Sequence, residues 1–132
     1  MEPGVTKLKS LFINSMSEAS QTIRYEKIFL KNKHATETLT NADAMLTADQ
    51  AACLRIGAAP SIGDSASTPG GNRKSAPTAV SFVDDNVAVQ VPTTHALAAG
   101  QAIGIWLEQT RAAAAAAVRA AWTVSLAGTT AV

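Results

Sequence analysis

An unbroken run of six alanines, residues 112–117, lies inside a longer alanine-rich stretch, residues 95–124. No other feature of the chain limits its fold so strongly. Alanine is the best helix former and adds little burial per residue. The pattern predicts one helix over 95–124, roughly 45 Å long at a rise of about 1.5 Å per residue. Thr93-Thr94 would cap its start. Leu97, Ile103, Leu107, Thr110, Ala114, Val118 and Ala121 fall on one helical face. Ala96, Gly100 and Gly104 form a second, smooth stripe. Glycine costs a helix up to about 1 kcal/mol, so two of them four residues apart point to close packing. The tail, 126–132, reads as a short extension or strand-like end.

The rest of the chain divides into three further segments. Residues 1–20 read as an arm: Leu8, Leu11, Phe12, Met16 and Ala19 could line a short apolar face after Pro3-Gly4. Residues 21–57 read as a strand followed by short helices. Over 21–31, β-branched and aromatic residues alternate with charged ones, which predicts a strand with a change of face near Lys27; a helix is the competing reading. Ala35, Leu39, Ala42 and Met45 keep helical spacing, and Thr47-Ala48-Asp49-Gln50 matches a capping box for a second helix over 48–56, ended by Gly57. Residues 58–79 hold Pro60, Pro69 and Pro77 with Gly63, Gly70 and Gly71, the composition of a loop or linker. Residues 80–132 then form the last unit. Val80 and Phe82 on one side of Asp84-Asp85-Asn86, and Val87, Val89 and Val91 on the other, predict a β-hairpin ahead of the long helix. The expected fold is therefore α+β and mostly helical.

Composition narrows the function. The chain has 132 residues, 47% of them hydrophobic and 5% aromatic, so its own core is thin and partner surfaces are expected to add burial. A net charge of +1 supplies no basic field for nucleic acid. No window of about 18 residues is apolar enough to span a bilayer. The single cysteine, Cys53, excludes an internal disulfide, which fits synthesis in a cytoplasm, and Met1-Glu2-Pro3-Gly4 has neither the basic cluster nor the apolar core of a signal peptide.

Candidate chemistry is sparse. His34, His95 and Cys53 are the metal-binding types besides carboxylates, and they are distant in sequence, so neither a metal site nor a cofactor is expected. Cys53 is single and on an apolar face, which favours a small buried hydrophobe over a nucleophile. Asp84-Asp85 suits a turn better than paired catalytic carboxylates. Gly70-Gly71-Asn72-Arg73-Lys74-Ser75 departs from a phosphate loop because Arg73 stands where glycine must precede Lys-Ser. The chain is not expected to be an enzyme; a cryptic one would have to use Cys53 or His95.

Residues 82–94 carry Phe82, Asp84-Asp85-Asn86, Val87, Val89, Val91, Pro92 and Thr93-Thr94, and then comes Leu97-x-x-Gly100-x-x-Ile103 before the alanines. This pattern resembles a small domain found at the ends of bacteriophage tail and tail-fibre-associated proteins. Thr22-Ile23-Arg24-Tyr25-Glu26 is similar to that family's opening strand, with Lys27 where the family prefers glycine. The similarity spans 22–121 in outline and is strongest over 80–121. It implies a hairpin followed by a Thr-capped helix and carries no catalytic residue.

These readings converge on a non-enzymatic structural component of a virion, associated with tail, tail fibre or baseplate. Its partners would be other virion proteins or copies of itself, with no small-molecule substrate, nucleic acid or membrane. The expected interface lies on the long helix: Leu97, Ile103, Leu107 and Val118 as a seam, Gly100 and Gly104 as the close-approach stripe, Trp106 and Trp122 as anchors. The alternatives are a capsid cement or head–tail connector protein, and an assembly chaperone or free helical binding module.

Overall fold

The computed structural model describes residues 22–49, 52–64, 73–92, 95–113 and 121–130, and among these it contains strands and no helix. The strands are β1 (Thr22–Lys31), β2 (Leu39–Thr47), β3 (Leu54–Ala58), β4 (Ala88–Gln90), β5 (Ala96–Leu97), β6 (Ala102–Arg111) and β7 (Thr123–Thr130). They form two antiparallel sheets. In the first, β6 lies between β1 and β3. In the second, β2 is central: β7 runs along one side of it, and β4 and β5 share the other.

The two short strands act as one interrupted strand. The Val91 N–H donates to the Ala42 carbonyl at 2.9 Å, and the Ala42 N–H donates to the His95 carbonyl at 3.0 Å, so the ladder resumes after a detour that begins at Pro92. Proline has no N–H to give to a ladder, which suits it to such a departure. Opposite the detour, β2 carries a bulge between Thr40 and Asp43, where Asn41 has a positive φ of 48°. An extra residue there is the usual geometry of a bulge, and Asn tolerates that backbone.

Consecutive strands alternate between the sheets. β1, β3 and β6 belong to one, and β2, β4/β5 and β7 to the other. Every strand pair is thus made between segments distant in the chain. Asn32 fastens one such crossing: its backbone exchanges bonds of 2.9 Å with Gln101 and Gly100, and its side-chain amide donates to the Glu37 and Leu97 carbonyls. Gly100 completes this turn at φ +77°, a backbone that favours glycine.

The apolar faces of both sheets close on one core. From β2 come Ala42, Ala44 and Leu46, from β3 Leu54 and Ile56, and from β6 Ile103, Ile105 and Leu107. The even-numbered side of β6 is buried as well, at Gly104 and Trp106. A strand covered on both faces shows a continuous apolar run instead of alternation. This is the physical reason that the described residues of 95–124 form strands instead of the expected helix. Ile-Gly-Ile-Trp-Leu is strand material, and helix propensity of a few tenths of a kcal/mol per residue yields to two-sided burial. Residues 112–113 leave the strand, and 114–120, with Val118, lie outside the described residues.

The other expected elements are corrected in the same way. The helix over 35–45 is replaced by β2, where alternate residues Ala42, Ala44 and Leu46 have no exposure. The helix over 48–56 is replaced by a turn and β3. Asp49 closes that turn by accepting the Leu54 N–H at 2.7 Å, and Gln50 lies outside the described residues. The hairpin over 80–91 does not form. Val83 bridges to Ile56 in the first sheet, whereas β4 joins β2 in the second. A strand does run over Thr22–Lys31, but its register with β6 is unbroken, so there is no change of face at Lys27. The arm, 1–20, and the caps Thr93 and Thr94 lie outside the described residues. The fold is all-β where it is described, not α+β.

The segment from Val80 to Phe82 crosses the outer face of the first sheet. A Cβ on Gly57 would lie 2.5 Å from Val80 Cγ1 and 2.6 Å from the Ser81 carbonyl oxygen. Gly57→Ala should therefore destabilise the protein by about 1–3 kcal/mol in urea unfolding. An unchanged midpoint would mean that this segment does not lie over β3.

Candidate functional site

Three polar groupings and one strand edge stand out on the molecule. The first grouping lies on the outer face of β1 and β6. Lys27 crosses the space left by Gly104, and its ammonium donates to the Asp64 carbonyl at 2.7 Å, near the Asp64 carboxylate at 3.5 Å. Phe29 and Trp106 flank it, with ring centroids at 5.2 and 5.4 Å. The lysine side chain is only 3% exposed, so the cation is committed to holding the 59–64 segment on the sheet.

The second grouping lies beside it. Arg55 donates to the Phe82 carbonyl at 2.7 Å and pairs with Glu108 at 3.1 Å and Asp84 at 3.2 Å. Arg73 pairs with Glu26. Tyr25 packs its ring against Phe82 at a centroid distance of 5.8 Å. Burial, and then the nearby Glu108 charge, push the Tyr25 phenol above its usual range. Each of these contacts ties the segment around residues 73–84 across the sheet, which is a structural task.

The third is a shallow cleft of ≈ 270 Å³ lined by Asp49, Cys53, Arg55, Asp84, Asp85 and Thr110. Burial, and then the charge of Asp49, raise the Cys53 thiol, the opposite of what activates a thiol nucleophile. The histidines are elsewhere. His95 Nε2 lies 2.5 Å from Asp43 Oδ1, and His34 Nδ1 accepts the Glu37 N–H at 3.0 Å within its own turn. Among the described residues no three His, Cys, Asp or Glu side chains are placed to share a metal ion.

Of the residues expected to form an interface, the large apolar ones among the described residues are turned inward. Leu97, Ile103 and Leu107 have no exposure, Trp106 is 1% exposed, and Trp122 is half-buried against the core. Gly100 serves a turn, and Gly104 makes room for Lys27 rather than for a neighbouring helix.

The edge of β7 is different in kind. The Leu46 carbonyl accepts the Asn86 N–H at 2.8 Å, and Ala42 bonds to Val91 and His95, so these β2 residues address the β4/β5 side. Backbone groups alternate sides along a strand. Asp43, Met45 and Thr47 therefore address β7, opposite Ala127, Ser125 and Thr123. Val124, Leu126 and Gly128 must then aim their N–H and C=O groups at the far side, where no described strand pairs with them.

The other edges are protected. β1 carries Arg24, Glu26, Lys27 and Lys31, and its Tyr25 N–H is taken by the Arg73 carbonyl at 2.8 Å. β3 is covered by Val83, which exchanges bonds of 2.8 and 3.0 Å with Ile56. β4 and β5 are three and two residues long. β7 has eight residues with no charge and no proline. Native folds blunt sheet edges by charge, brevity or cover, and an edge with none of these is a template for another strand. The alternation of Val124 and Leu126 with Thr123, Ser125 and Ala127 was the sequence signal for it, submerged because the alanine run before it extends a helical reading to Val124.

Comparison of the chain with protein-family models, curated proteins and solved structures found no match.

The pKa directions have a measurable consequence. Folding favours the neutral forms of Tyr25 and Cys53, so their contribution is complete at neutral pH and is lost as pH rises through and above the ordinary thiol and phenol ranges. Unfolding midpoints should fall on the alkaline side. Cys53 should alkylate severalfold more slowly than a free cysteine at mildly alkaline pH; an equal or faster rate would contradict a shielded thiol.

Proposed function

We propose that this chain is a non-enzymatic structural component of a bacteriophage virion, associated with tail, tail fibre or baseplate, that works by protein–protein assembly. The observation that carries the assembly reading is the uncharged edge of β7, along which no described strand pairs. Strand addition at such an edge gives affinity through main-chain hydrogen bonds and needs no deep pocket. The clustered ions elsewhere support the same reading, because Lys27, Arg55 and Arg73 are each engaged in holding a crossing segment onto the first sheet.

The placement in a phage particle rests on the residue pattern over 80–121 alone. In the structure the described residues of that span run through a turn, β4, β5 and β6 rather than a hairpin and a capped helix.

The test is the solution mass of the purified protein, by size exclusion with light scattering, across about a tenfold concentration range. A discrete oligomer, growing with concentration, is the expected result. A folded monomer at every concentration would remove self-assembly from the role.

A further inference from the structure

We infer that β7 pairs antiparallel with β7 of a second copy of this chain, about a twofold axis at Leu126, so that the two second sheets become one continuous sheet. This rests on the assembly reading above and names its partner.

Backbone parity sets the register. Val124, Leu126 and Gly128 carry the outward groups, so antiparallel pairing must match even-numbered residues with even-numbered residues. An axis at Leu126 sets Val124 beside the partner's Gly128 and Leu126 beside the partner's Leu126, and covers nearly the whole of Thr123–Thr130. Moving the axis to Ser125 leaves more of the strand unpaired, and moving it to Ala127 pairs as many residues but sets Leu126 beside the partner's Gly128 and gives up the Leu126–Leu126 contact.

The side chains agree with this register on both faces. On the exposed face Thr123 comes opposite the partner's Thr129, and Ser125 opposite the partner's Ala127: small, neutral pairs, with a Thr–Thr contact of a favourable type. On the inner face, Val124 and Leu126 are only half-buried, whereas their β2 neighbours Leu46 and Ala44 have no exposure. The core is therefore unfinished along this edge, and a neighbouring strand that brings its own Leu126 would complete it.

Charge selects the occupant. An edge without a single ionised side chain has nothing with which to choose a charged partner strand. It meets its own copy without repulsion, and the chain's net charge of +1 adds no appreciable long-range barrier. A surface that is complementary to itself closes as a twofold dimer.

The test uses the full chain and two double variants, Ser125→Lys with Ala127→Lys, and Ser125→Glu with Ala127→Glu. Both positions are exposed, so the monomer fold should be kept, which far-UV circular dichroism and urea midpoints check. In the inferred register each changed residue faces a changed residue of the other copy. Light scattering from about 10 µM to about 1 mM should show the unmodified chain dimerising, each double variant weakened at least about tenfold, and an equimolar mixture of the two restored. If the unmodified chain assembles and both variants assemble equally well, the β7 pairing is wrong while the assembly reading stands. If the unmodified chain stays monomeric throughout, the β7 pairing is overturned, and with it self-assembly as the role of this chain.

Discussion

Strand β6 must be satisfied on four sides at once, and the rest of the molecule is arranged to do so. Its two backbone edges are taken by β1 and β3. Its odd-numbered face, Ile103, Ile105 and Leu107, needs the second sheet. Its even-numbered face, Gly104 and Trp106, needs the loops that cross outside. Leaving any one side uncovered would expose either a row of backbone groups or a stripe of large apolar side chains, each costing on the order of several kcal/mol.

The ion pairs follow from that demand. Loops cannot cover a sheet by apolar contact alone when their own sequence is poor in large apolar residues, and Val80 and Phe82 are the main ones that the segment around 73–84 brings. Lys27 with Asp64, and Arg55 with Glu108 and the Phe82 carbonyl, make up the difference, while Arg73 with Glu26 fastens the chain at the β1 edge. Charged residues that look like surface decoration in the sequence are, in the fold, the fasteners of its outer layer. Among the described residues the second sheet has no such layer. Its centre, β2, is sealed, but its margin at β7 is left half-covered, and the proposed assembly role rests on that asymmetry between the two sheets.

The glycines and tryptophans show how far the sequence could be read. Gly100 and Gly104 were legible as positions that call for glycine; that the first needs it for a left-handed turn in open space, and the second to accommodate a lysine, depended on partners far away in the chain. Trp106 was legible as an anchor, but whether it anchors a core or an interface depended on what lies over it. Over 22–31 the alternation was clear enough to identify the strand, because β1 has unlike faces. Over 102–107 it was not, because both faces are buried. Over 35–47 the alanines Ala42 and Ala44 fit either period, and Leu39, Ala42 and Met45 supplied a helical spacing that the strand does not use.

By itself the sequence determined composition, near-neutral charge, the scarcity of catalytic groupings, the turn at Asp84-Asp85-Asn86, and which residues are too apolar to remain in water. Tertiary structure decided the rest: that an alanine-rich chain forms sheets, that strands alternate between two of them, and that β7 ends the second with no described strand beyond it. The reason is the range of the forces involved. Helix propensity and turn preference act within a few residues and are written locally, whereas a strand's hydrogen bonds and the cover of its two faces come from segments tens of residues away.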